Sequence, residues 1–437
     1  MGNDDPTRPA RFSPLHFIER TGLRSPELPG RAALHELQPR LASVVYPVLR
    51  LVLLFSDQER NAVWFAADDL RGWEEELLRG TPAEPLVQAM AVIVGLLAEP
   101  SAADTMALPY ACLAAADHAH QLNAEETGLA FTEAAALCRP ENARLAYLAG
   151  RSLKNSGRGR EAERWLARAA KVARSSGDGL AYALCHNSLG MLHWQSGANP
   201  KARTHLRRAL RSARHHRFRN VEGIVLHNLF LVGVTSGDLE GVEEFARRAF
   251  ELYRPHHPRL PALAYDIAYY WLTRGYAARA LPIFRSVEAR FEDPEQRIQA
   301  LAAQARAAGA AGDVEAFERA WADAHELLAS ATIRTTRAAA LVDLGLGAAH
   351  REWWEAAEAP FVDAIASAEA LGQSDMLIRA EECLRAVRVG QNPDTLPRPA
   401  EMSRRQVAAE DLARECLDAL SVFSEAVPCP VGEDAFA

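Results

Sequence analysis

Seven times along this chain an anchor residue, usually Gly or Ala, is followed at +12, +16 and +19 by small or apolar residues. The clearest copy lies in His186 to Ala209, HNSLGMLHWQSGANPKARTHLRRA, where Gly190 is the anchor and Ala202, Leu206 and Ala209 follow. Those last three fall at i, i+4 and i+7, one apolar stripe of a helix. The run Ser196-Gly197-Ala198-Asn199-Pro200 reads as the turn between this helix and the one carrying Gly190. Small residues at Gly190 and Ala202 mark where two helix backbones come close, because a large side chain there would push the pair apart. Such a hairpin has half a core and needs copies of itself on either side.

The other anchors are Ala115, Gly150, Phe230, Ala268, Ala305 and Gly345, and successive anchors stand 35, 40, 40, 38, 37 and 40 residues apart. Drift of this size is what variable turn length gives a true repeat. The pattern resembles the tetratricopeptide repeat family. That family's small residue on helix A, its Ala on helix B, an apolar residue four later and an Ala three beyond all have counterparts here. The likeness spans about residues 100 to 387. The period exceeds the usual 34, and longer repeats of this sort resemble those of bacterial signalling regulators and kinesin-light-chain-like adaptors. The resemblance implies an all-α, right-handed α-solenoid of about seven hairpins, with HEAT-like packing as the alternative.

Outside the repeats, residues 1–30 hold five prolines and are expected as a disordered arm. Residues 31–100 lack the repeat frame, with helices expected at about 32–55, 57–79 and 83–98. They are an irregular N-terminal cap of the solenoid, or a small helical domain. Ser56 with Glu59 has capping-box spacing, which predicts a helix start there. Segment 57–79 carries more acids than arginines, unlike a helix that faces phosphates. The repeats occupy 101–388. A Pro-rich linker at 389–402, a last helix at 403–424 and a flexible tail at 425–437 complete the expected order. Gly177-Asp178, Gly237-Asp238 and Gly312-Asp313 read as turns in which Gly stops one helix and Asp caps the next.

With 49% hydrophobic and 24% charged residues, the composition suits a helix-rich chain with ample core. The six cysteines are scattered without metal-type spacing. The polar N-terminus does not read as a signal peptide, and the most apolar run, Leu41 to Phe55, is too short to span a bilayer. A cytoplasmic protein without a membrane partner is expected. His186 with His193 could share a helix face, but nothing beside them completes a metal set, so neither metal nor cofactor is assigned. No nucleophile elbow, phosphate loop or zinc-protease motif occurs, and the chain is read as non-enzymatic.

Charge is uneven. Between Arg151 and Arg219 stand 16 Lys and Arg against three acids, in a chain whose net charge is −8. Arg164, Arg168, Arg203, Arg207, Arg211 and Arg214 form a candidate basic partner face. The plainer reading is a solvated helix-B face, answered in part by Glu240, Glu243 and Glu244.

The family resemblance further implies a concave groove lined by helix A, at fixed offsets from the anchor. Carried onto this chain, those offsets give Arg144, Tyr147, Arg151, Lys154 and Asn155, then Asn187, Met191, Trp194 and Gln195. His227 and Asn228 follow, then Tyr265 and Tyr269. Guanidinium and ammonium groups take a carboxylate, amides hold an extended backbone, and aromatic rings pack a side chain. The expected function is a non-catalytic scaffold or adaptor binding a peptide or protein segment in bacterial intracellular regulation, the partner acidic if the basic face takes part. The alternative is a signal-sensing or transcription-regulatory protein that acts on nucleic acid indirectly or through the 151–219 face.

Overall fold

The computed structural model describes residues 31–57, 67–80, 84–99, 106–237, 241–253, 256–394, 396 and 404–422. Among these every regular element is a helix. In chain order they are α1 (Ala33–Glu36), α2 (Pro39–Asp57), α3 (Ala67–Gly80), α4 (Pro85–Ala98), α5 (Ala107–Gln121), α6 (Glu125–Cys138) and α7 (Ala143–Asn155). Then come α8 (Gly159–Ser176), α9 (Gly179–Gln195), α10 (Asn199–His216), α11 (Arg219–Thr235), α12 (Val242–Tyr253), α13 (Leu260–Thr273) and α14 (Ala277–Glu288). The last are α15 (Pro294–Ala311), α16 (Val314–Ser330), α17 (Arg337–His350), α18 (Trp354–Leu371), α19 (Ser374–Arg388) and α20 (Arg404–Val422). The expected arm at 1–30, the tail at 425–437, Glu59 and Asp238 lie outside the described residues. The chain forms two compact units that divide between Val225 and Leu226, inside α11.

The first unit stacks helical hairpins α5/α6, α7/α8 and α9/α10, with each helix packed on the next and α7 also packed on α9. The anchor rule has a steric cause. A methyl group built on Gly150 would stand 2.7 Å from Cγ of Leu166, and one built on Gly190 would stand 2.7 Å from Cγ of Leu206. In both cases the residue sixteen positions on fills the space that the missing side chain leaves. The +12 and +19 residues, Ala162, Ala169, Ala202 and Ala209, are fully buried beside it. Gly177 ends α8 at φ +73°, a conformation that costs an L side chain energy. Asp178 then caps α9, accepting from the Ala181 amide at 3.0 Å.

Helices α1 and α2 pack on α6, with α3 and α4 beside them. The tie is polar as well as apolar. The Glu36 carboxylate accepts from the amides of Glu126 and Thr127, each at 2.8 Å, and from the Thr127 hydroxyl at 2.7 Å. It therefore caps the N-terminus of α6, whose dipole favours a negative charge there. Ser56 departs from expectation. It sits in the last turn of α2 and its hydroxyl donates to the Leu53 carbonyl at 2.9 Å, so it starts no helix.

The second unit repeats the pattern through α13/α14, α15/α16 and α17/α18, followed by α19. Gly345 meets Phe361 as Gly190 meets Leu206, with a built methyl group 2.6 Å from the ring. Consecutive A helices come closer still between α15 and α17, where a methyl on Gly309 would run into the Gly347 carbonyl oxygen. Here Glu295 is the long-range cap, accepting from the amides of Arg334, Thr335 and Thr336 at the start of α17. Against the opposing effect of burial, the Thr336 hydroxyl, which also donates to it, and these amides hold its carboxyl below the usual range. The chain then turns back. Helix α20 packs on α12, α13 and α14 through Leu412, Cys416 and Leu420, an i, i+4, i+8 stripe.

Candidate functional site

In the first unit the expected groove residues come from two consecutive A helices. Asn142 sets the start of α7 by accepting from the amides of Arg144 and Leu145. Arg144 then donates through Nε to Asp178 at 2.9 Å, the acid that caps α9. Its charge joins one repeat to the next. Tyr147, one turn on, is buried, and the Arg151 guanidinium lies 5.8 Å from its ring centroid. Burial raises the Tyr147 phenol above its ordinary range, against the opposing pull of Arg151 and Ser188.

Arg151 and Asn155 line a cleft of about 530 Å³ facing α5 and α6. Leu113, Ala116, Leu129 and Leu148 supply its apolar lining, and Asp117, His120, Glu125 and Ser152 add polar groups. His120 is oriented from two sides. Its Nδ1 lies 3.0 Å from Glu125 Oε2, and its ring lies over Gly128, where any Cβ would strike it. A cleft of this volume, in which polar groups outnumber apolar ones, suits one or two side chains of a bound segment. Lys154, Asn187, Met191 and Trp194 are half-buried on the same two helices, while Asn155 and Gln195 are exposed.

His227 and Asn228 belong to the second unit and are buried there. His227 Nε2 lies 2.7 Å from Asp266 Oδ2, and its ring meets Tyr253 edge-on at 6.0 Å. Neither residue offers a surface to a partner. Tyr269 is likewise engaged. Its hydroxyl donates to Asp343 at 3.2 Å and accepts from Arg306 at 3.1 Å.

Arg306 was not singled out in the sequence, although it stands at +1 from anchor Ala305, as Arg151 does from Gly150. It is 3% exposed and donates to Asp343 at 2.9 Å and to both oxygens of Asp394 at 2.6 and 2.8 Å. His350 Nε2 lies 3.0 Å from the same Asp394 carboxylate, and Asn392 lies 3.0 Å from His350 Nδ1. Residues 391–394, which fall within the linker expected at 389–402, thus lie against A helices of this unit.

On the B helices, Arg164, Arg207, Arg211 and Arg214 are exposed, as a solvated face requires. Arg168 and Arg203 are half-buried. Arg168 donates to the Pro140 carbonyl at 3.0 Å, and Arg214 pairs with Glu222 at 2.9 Å. Of the acids expected to answer this face, Glu240 lies outside the described residues, and Glu243 accepts from the Tyr270 hydroxyl.

The histidine reading gains a member. His186 and His193 are joined by His205 of α10, whose Nδ1 is 2.8 Å from His186 Nδ1 and whose ring is 5.2 Å from that of His193. Burial, then the neighbouring charge of the other imidazoles and Arg208, lowers both His186 and His205 to about 4. Two neutral rings sharing one proton fit this contact. Among the described residues no group of His, Cys, Asp and Glu is arranged to hold a metal ion. Cys112, Cys138, Cys185, Cys383 and Cys416 are buried and form no disulfide, and Cys429 lies outside the described residues. Among the described residues no helix is long and apolar enough to cross a membrane.

Residues 141–215 match the family model of the tetratricopeptide repeat. No curated protein matches the chain. Among solved structures, the Rap conjugation gene regulator of plasmid pLS20, in complex with the Phr* peptide, is 14% identical. It aligns over 81% of this chain and 97% of its own at a TM-score of 0.45. A Rap protein complexed with competence and sporulation factor is 12% identical over 80% and 98%, with a TM-score of 0.44. BtubC (BKLC) from P. vanneervenii is 14% identical over 61% and 92%, with a TM-score of 0.34.

Proposed function

From a chain that carries tetratricopeptide repeats, we propose a non-catalytic scaffold that binds a peptide or protein segment on the A-helix face of its first unit. The observation that carries this reading is the cleft lined by Arg151 and Asn155. It sets Leu113, Leu129 and Leu148 beside a guanidinium and an amide, groups that anchor a side chain and hold an extended backbone. Asn187, Met191 and Trp194 are half-buried on α9, the next A helix. The surplus of 16 basic residues over three acids between Arg151 and Arg219 favours an acidic segment and speeds its encounter. The setting is intracellular regulation in a bacterial cytoplasm.

The test is a pull-down from native lysate, with the wild-type chain beside Arg151→Glu/Lys154→Glu, each with and without nuclease. A protein retained by the wild type after nuclease and lost by the double variant is the expected result. Recovery that needs nucleic acid, or that ignores the substitutions, would overturn the reading and turn attention to the exposed Arg207 and Arg211.

A further inference from the structure

The A helices of the second unit build an anion site around two guanidinium groups, with Glu382 as a carboxylate of their own beside it. Arg306 and Arg379 both stand close to Tyr269 and Asp343, so two guanidinium groups face one carboxylate. The second carboxylate is Asp394, which arrives 88 residues after Arg306 on a segment outside any helix. Asp394 binds Arg306 in the two-pronged geometry that guanidinium groups give carboxylates. The segment shapes itself for this contact, the Asp394 amide donating to the Asn392 side chain at 2.9 Å. It does not fill the site. A cleft of about 360 Å³ remains beside it, lined by Leu346, Arg379, Glu382, Cys383, Pro393 and Asp394 among others.

We propose that Arg306, with His350 and Arg379, forms a receptor for an acidic side chain on an extended peptide, which Asn392-Pro393-Asp394 of the same chain occupies in cis. The ligand class is a short segment presenting Asp after Pro, and a partner carrying one binds by taking the place of residues 391–394. The site lies wholly in the second unit and does not depend on a partner at Arg151. Because the resident segment is tethered, its effective concentration is about millimolar, and a free peptide competes poorly against it. Removing the Asp394 carboxylate leaves a buried guanidinium short of an anion, which a peptide supplied from outside can restore.

The experiment uses the full chain and a fluorescent peptide of sequence VGQNPDTL, residues 389–396. Asp394→Ala is expected to bind this peptide at least tenfold more tightly than the wild type. The same peptide with Asn in place of its Asp should bind neither protein. Adding Arg306→Gln to Asp394→Ala should abolish binding. If Asp394→Ala loses its helical circular dichroism, Asp394→Asn, which keeps the side-chain shape, replaces it. Equal binding by folded variant and wild type would overturn the proposal, as would binding that ignores the peptide's charge. Loss of helicity in both variants would also overturn it, by showing that the segment is an obligatory part of the core. None of these outcomes involves Arg151, so failure here leaves the first-unit reading standing.

Discussion

A methyl group on Gly190 would lie 2.7 Å from Cγ of Leu206 and 3.2 Å from the carbonyl oxygen of Ala202. Three glycines in similar helices therefore answer differently to the same substitution. Gly190→Ala gains about 1 kcal/mol of helix propensity but overpacks a buried leucine at about 1–3 kcal/mol, a net loss. Gly309→Ala should lose more, because its Cβ meets the Gly347 backbone, which cannot rotate aside. Gly72→Ala should gain up to about 1 kcal/mol, since nothing lies within 4 Å of its Cβ. Urea midpoints of the three variants test the order, and a stabilised Gly309→Ala would refute the close approach of α15 and α17.

Acid should loosen the fold in two windows. His186 and His205 titrate at about 4 in the folded chain and at about 6.5 when unfolded. Between those values the unfolded chain binds more protons, so stability falls as pH drops from about 6.5 toward 4. Asp394 and Glu295 are lowered instead, so what they contribute is present above their ordinary values of 3.8 and 4.5 and is lost only below them. Thermal midpoints from pH 7 to pH 4 should fall more gently in His186→Gln/His205→Gln. An identical slope would remove the pair from the account.

Arg306→Ala strips one partner from two buried carboxylates and should destabilise by about 3–5 kcal/mol. Arg306→Met with Asp394→Asn should cost less than the two single changes added together, because the groups share one network. Chemical denaturation of the four proteins measures that coupling. Strict additivity would mean the ion pair contributes nothing as a pair.

Glu36→Ala leaves two amides and a hydroxyl at the start of α6 without their acceptor. The expected loss is about 1–3 kcal/mol, in the range of a charged cap. It should appear locally, as faster hydrogen exchange at the Glu126 and Thr127 amides. Protection equal to wild type there would show that water replaces the carboxylate without cost.

The hairpins were legible in the sequence because their determinants are local. Anchor, +12, +16 and +19 sit on two consecutive helices, and glycine before aspartate at Gly177 and Gly312 marks their joints. The offset rule also picks out Arg151, which lines the first-unit cleft. It failed at His227 and Asn228, which are buried, because an offset fixes the direction of a side chain and not what packs above it. Arg306 would have emerged had the same +1 offset been carried to Ala305. Its partner Asp394 would not, since it lies beyond the repeats in a Pro-rich stretch with no period to align. Glu36 and Thr127 are equally silent, being 91 residues apart. His205 was missed because it is on the second helix of its hairpin, and only the turn at Ser196 to Pro200 brings it opposite His186.

The constant sixteen-residue step from Gly150 to Leu166, Gly190 to Leu206 and Gly345 to Phe361 works as a ruler, whereas the distance between anchors drifts from 35 to 40. An extra residue inside a step swings the second helix by about 100° and turns Trp165, His205 or Pro360 toward the glycine in place of the residue that fits. The same extra residue between hairpins lengthens only a joint. Descendants of such a chain can thus acquire or shed length at the joints, and even whole hairpins, while every surviving hairpin keeps its count.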